Sequence, residues 1–148
     1  MTIAQFKESY LHLLEYLEKE ISAFKSDSEL YKVSGTIINT AGNLSLHLCG
    51  NIQNYLGAML GGTGYIRNRG AEFSRKDFAK TILLDEIKKA RDAVIATFNK
   101  IIEDDLNKLF PETPYWKGST TEQVLVICLS HFNYHLGQIN YLRRMNEV

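Results

Sequence analysis

The sequence predicts an all-α protein, a four-helix bundle, and three observations carry that prediction. Four stretches place apolar residues at steps of three and four, the spacing that lines one face of a helix. The chain has only two prolines, Pro111 and Pro114, which stand close together and leave long helices uninterrupted. No stretch alternates polar and apolar residues as a half-buried strand would, and no internal repeat is visible. Each amphipathic helix must bury its stripe against another. Four of them in 148 residues therefore imply one bundle and one domain, 1–148.

The first helix is expected over Ile3 to Phe24. Ile3, Phe6, Tyr10, Leu13, Leu17, Ile21 and Phe24 form its stripe, Thr2 is a candidate N-cap, and Lys7, Glu8, Glu15, Glu18 and Lys19 form a solvated face. His12 lies off the stripe and reads as an exposed histidine. Lys25 to Lys32 reads as a polar linker. The second helix is expected to start near Ser34 to Thr36, with Ile37, Ala41, Leu44, Leu48, Ile52, Tyr55 and Met59 as its stripe. It fails at Gly61-Gly62-Thr63-Gly64, where glycine frees the chain from helical geometry. Gly61 to Ser74 is then a pocket-edge loop carrying Arg67 and Arg69. It lacks the preceding strand and the GK[ST] of a phosphate-binding loop. The third helix is expected after Ser74, with Asp77 in its first turn and Leu83, Ile87, Ala90, Val94, Phe98, Ile101 and Leu106 buried. The fourth starts at Thr120 or Thr121 and buries Val124, Leu125, Cys128, Leu129, Phe132, Leu136, Ile139 and Leu142.

Composition excludes several classes. Net formal charge is zero, which argues against a protein built to hold nucleic acid. No apolar run reaches the ~20 residues that cross a bilayer. The N-terminus carries Gln5, Lys7 and Glu8 and has no signal-peptide core. Two cysteines, Cys49 and Cys128, make no disulfide framework. The expectation is a cytoplasmic protein with both thiols reduced.

Chemistry concentrates in Ser130-His131-Phe132-Asn133-Tyr134-His135-Leu136-Gly137-Gln138-Ile139. Residues i and i+4 of a helix are displaced by only about 40° and one turn, so His131 and His135 can reach one point beside it. Two preset imidazoles suit a zinc-type ion. A third histidine, His47, stands on the second helix beside its stripe, with Asn43 and Asn51 one turn either side. If the second and fourth helices are neighbours, three neutral nitrogens converge and one coordination position stays open. Such a site would suit activation of water or of a thiol. Asn51 and Gln138 are candidates to orient the imidazoles. Cys128, seven residues before His135, falls near the same face, and its ordinary reading is a buried apolar cysteine.

Four helices, a histidine in the second and H-x3-H in the fourth resemble the DinB-like (YfiT-like) superfamily across nearly the whole chain. The most specific part is the tail His135-Leu136-Gly137-Gln138-Ile139 followed by Tyr141-Leu142-Arg143-Arg144. Ser45-Leu46-His47-Leu48-Cys49-Gly50-Asn51 resembles the first-histidine motif of an uncharacterised branch. The resemblance implies up-down-down-up connectivity and one divalent metal, zinc or nickel, on His47, His131 and His135. It also implies chemistry related to bacillithiol- or mycothiol-dependent transferases. A low-molecular-weight thiol and a small electrophile would then be the substrates, with Arg67 or Arg69 meeting carboxylates of the thiol cofactor. The other class in play is a non-catalytic metal-binding or stress-linked dimeric module. A homodimer is expected on either reading, from the resemblance and from apolar residues beyond the stripes, Leu11, Leu14, Leu84 and Ile102.

Overall fold

The computed structural model describes residues 1–147. It contains α1 (Ile3–Ala23), α2 (Ala41–Ile52), α3 (Arg69–Ser74), α4 (Lys80–Lys100) and α5 (Thr121–Met145). No strand occurs among the described residues, only an isolated bridge between Leu109 and Thr120. The caps are written locally. Thr2 and Gln5 form a reciprocal box at the start of α1, and Thr120 and Gln123 repeat it at the start of α5. Loss of such a cap costs about 1 kcal/mol.

Contacts along the helices give their directions. The N-terminal amine meets Glu122, Tyr10 donates to the Leu125 carbonyl at 2.7 Å, and Glu20 meets Arg143, so α1 and α5 run parallel. Lys7 pairs with Asn99 and Lys80 with the Phe24 carbonyl, so α4 runs antiparallel to α1. Gln53 meets Glu86 and Lys100 meets the Gly61 carbonyl, so α2 and α4 run the same way. The order is up-down-down-up. Around the bundle α1 touches α4 and α5, and α2 touches the same two. That neighbour relation decides the site, because it sets α2 directly against α5.

Phe6, Tyr10, Leu14, Leu17 and Ile21 of α1 are fully buried with Leu83, Ile87 and Val94 of α4 and Val124, Leu125 and Phe132 of α5. Among the apolar residues beyond the expected stripes, Leu14 joins this core, Leu11 and Leu84 pack against it in part, and Ile102 is 61% exposed.

Several boundaries differ from the sequence reading. Helix α2 begins at Ala41, because the Thr40 hydroxyl accepts from the Asn43 amide and caps it there. Ile37 therefore lies outside the helix and half-exposed. The Lys25–Lys32 linker holds a helical turn, Asp27–Tyr31, that plugs Leu30 into the core. Asp77 precedes α4 and pairs with Arg75, while the Lys80 amide donates to Asp27 at 2.9 Å. Leu106 is buried, but from a separate turn after α4 has ended. The Gly61–Ser74 connection is partly helical, since α3 lies within it. Asn43 fastens α3 to α2, its buried amide donating to the carbonyls of Glu72 and Arg75.

Helix α2 does not stop at Ile52. It continues over Gln53–Leu60 in the wider i→i+5 winding. The Leu56 carbonyl there accepts from the Gly61 amide at 2.9 Å and from the buried Thr97 hydroxyl at 3.0 Å. The helix then ends where Gly62 turns to φ +68°, a left-handed conformation that costs glycine little.

Candidate metal centre

Helix α2 presents His47 and helix α5 presents His131 and His135 to the same point. Each offers one nitrogen, and the three lie within 4.8 Å of one another. The rings are mutually perpendicular or nearly so, with centroids 4.6–5.2 Å apart. His47 is buried, while His131 and His135 are partly buried on the wall of a cavity of about 400 Å³.

The surroundings of each ring settle which nitrogen faces inward. Glu72 of α3 is buried, and its Oε1 lies 3.0 Å from His47 Nδ1. Arg67 grips the same carboxylate twice, Nε to Oε2 and Nη2 to Oε1, each at 2.8 Å. Arg67 Nη2 also lies 3.3 Å from His47 Nδ1. A carboxylate can only accept, so a bare Nδ1 at 3.0 Å would set lone pair against lone pair. Nδ1 therefore carries the proton and donates to Glu72, and the Arg67 approach is proximity rather than a bond. His47 Nε2 is left with its lone pair facing inward. His135 Nδ1 donates to the Gln138 side-chain oxygen at 2.7 Å, which leaves Nε2 of that ring unprotonated as well. His131 Nε2 lies 3.0 Å from His47 Nε2, and its Nδ1 is buried without a partner. Two bare nitrogens cannot stay that close, so a proton or a cation must lie between them.

Electrostatics agree with neutral rings at His131 and His135. Burial, then the neighbouring His135 and His47, push His131 down to about 4. Burial also lowers His135, against the Gln138 bond. Burial would raise the Glu72 carboxyl, but its bonds from His47 and Arg67 outweigh that and hold it below the usual carboxylate range. Burial pushes the Cys128 thiol up to about 12, so it stays protonated on the cavity wall. Neutral imidazole is the ligand form. The three histidines could hold a metal ion, offering three nitrogen donors and no thiolate.

The other sequence candidates fall differently. Gln138 contacts His135, as described. Asn51 lines the cavity, yet the partner of His47 is Glu72. Arg67 and Arg69 both line the cavity and are not equivalent. Arg67 is committed to Glu72, whereas Arg69 lies over the Phe73 ring at 5.3 Å and is exposed. His12 stands in a wider groove of about 650 Å³ between α1 and α4, remote from the other histidines. Cys49 is buried and does not line the cavity.

Sequence reasoning missed Glu72. Its one local signal is Gly50, three residues after His47 in mid-helix. A Cβ on Gly50 would lie 2.2 Å from Glu72 Oε2, so the missing side chain is the seat of the carboxylate.

Bundle order and histidine placement together define an up-down-down-up helical bundle with a candidate three-histidine metal centre. A crystal structure of a DinB-like protein from Bacillus cereus ATCC 10987 has the same fold, with a TM-score of 0.78. The match covers 99% of this chain and 93% of that one at 19% identity. The chain belongs to the family described as "Protein of unknown function (DUF1572)", whose model matches residues 3–147. No curated protein matches it.

Proposed function

We propose that this protein is a metal-dependent enzyme that transfers a low-molecular-weight thiol to a small electrophile. The supporting observation is the set of three inward imidazole nitrogens on the wall of an open cavity. In this reading His47, His131 and His135 would hold one divalent ion, zinc or nickel, which would supply Lewis acidity for ionising a thiol. The thiol loses its proton to solvent, a sulfur–carbon bond forms, and the electrophile's bond to its leaving group breaks. Glu72 fixes the tautomer and angle of His47, and Gln138 does so for His135. Cys128 remains a thiol and does not compete as nucleophile.

The half-open position of His131 and His135 favours catalysis over a sealed structural site. Metal content would be measured first, on protein free of affinity-tag histidines. The metal-loaded protein would then be screened with bacillithiol, mycothiol, glutathione and coenzyme A against a generic electrophile. Conjugation with at least one thiol, lost in His131→Ala, is expected. Stoichiometric metal with no conjugation above that variant would leave a non-catalytic metal-binding module. Self-association as a homodimer belongs to the same proposal, and sedimentation showing a monomer at high micromolar concentration would remove it.

A further inference from the structure

The cavity beside the histidines has a charge that its own residues do not balance. On one side the Glu72 carboxylate and the Arg67 guanidinium balance each other beside His47. No carboxylate lines the cavity. Arg69 does line it, and its guanidinium makes no ion pair among the described residues. It rests instead on the face of Phe73, 5.3 Å from the ring centre, which holds its charge at the rim. Arg69 is therefore a cation at the cavity rim with no lining carboxylate to balance it among the described residues.

Much of the rest of the wall is apolar, with Asn39 and Asn51 as its amide side chains. Tyr55, Phe73, Tyr115, Trp116 and Ile127 line it, with Trp116 set edge-on to Tyr55 at 5.7 Å. Tyr55 is placed there by the wide-wound stretch that extends α2. Aromatic walls of this kind favour a planar or apolar body and offer it offset or edge-to-face contact. A space of about 400 Å³ matches a small molecule rather than a peptide or a nucleic acid.

We propose that this cavity takes a small carboxylate with an aromatic body, its anion meeting Arg69 and its ring packed on the Tyr55–Trp116 wall. The proposal deepens the preceding reading, because it names the class of small molecule brought to the histidines. It assigns the two arginines separate tasks: Arg67 positions Glu72, and Arg69 contacts the ligand. Guanidinium recognises carboxylate through paired parallel N–H donors, a geometry that an ammonium cannot copy.

Trp116 is the only tryptophan, so its indole N–H gives one reporter resonance at the proposed site. The experiment titrates EDTA-treated protein with phenylacetate, with the neutral isostere phenylacetamide, and with acetate. We expect phenylacetate to shift the Trp116 signal and to bind about tenfold or more tightly than either comparator, the usual scale of one charge-assisted contact. Arg69→Met should lose that preference, Arg69→Lys should regain part of it, and Lys76→Met, on an exposed residue outside the cavity, should leave it unchanged. Equal binding of phenylacetate and phenylacetamide, or an unaltered preference in Arg69→Met, overturns the proposal. The measurement uses no metal. Phenylacetate binding through Arg69 in a chain that takes up no ion would uphold this inference and sink the catalytic one. Metal uptake without anion preference would do the reverse.

Discussion

The two halves of the histidine cluster are built in opposite ways. On α2, His47 is buried and braced by Glu72, which lies 25 residues away and is itself clamped by Arg67. On α5, His135 is held by Gln138, one turn along its own helix, and His131 has no partner on its outer nitrogen. One half depends on the tertiary fold; the other is local. The difference teaches where rigidity comes from. Helical spacing alone aims the α5 pair, whereas the lone α2 histidine is fixed by a second element and an ion pair.

Six substitutions would break or sharpen that contrast, in falling order of effect. Replacing His131 or His135 by alanine removes a proposed ligand outright. Elemental analysis should then find no stoichiometric metal, and full occupancy in both variants would dismiss the site. Glu72→Ala comes next, since it strands Arg67 and frees the His47 ring. Breaking a buried ion pair from one side costs about 3–5 kcal/mol, and loss of a ligand's hydrogen-bond partner weakens metal binding roughly 10–100-fold. Denaturant titration and chelator competition measure the two separately, and Gly50→Ala should mimic both in weaker form by crowding the carboxylate.

Gln138→Ala tests the local half. It should lower metal affinity by about tenfold or less and shift stability by no more than about 1 kcal/mol. An effect larger than that of Glu72→Ala would reverse the comparison. The smallest change is expected far from the site, at Glu20. Burial raises its carboxyl, but bonds from Arg143 and Asn140 outweigh this, so it titrates below its ordinary range. A depressed carboxylate stabilises above its unfolded pKa and loses that contribution as pH falls through the folded one. Glu20→Gln should therefore cost about 1 kcal/mol or less at neutral pH and nothing in strong acid, as paired urea melts would show.

The same contrast explains what the sequence could and could not disclose. The α5 pair was legible because i and i+4 are neighbours by helical geometry alone. His47 was legible as a candidate, but its meeting with α5 required knowing that α2 abuts α5, which the DinB-like resemblance supplied. Helix starts at Ala41 and Lys80 were displaced because apolar residues such as Ile37 continue the spacing outside the helix. Glu72 and Arg67 looked like ordinary loop charges, since nothing within a turn of either hints at burial. The wide winding of Gln53–Leu60 left no trace in the apolar pattern, because Tyr55 and Leu56 are buried either way.

Gly50 has a consequence for inheritance. Its bare Cα leaves the space that the Glu72 carboxylate fills, so a side chain at 50 would have to displace that carboxylate. Relatives that keep the acid should keep the glycine, and a chain that acquires a side chain at 50 should have surrendered the acid at 72. The two positions, 22 residues apart in the chain, should therefore show a one-way dependence among diverging lineages, the glycine outlasting the acid and never the reverse.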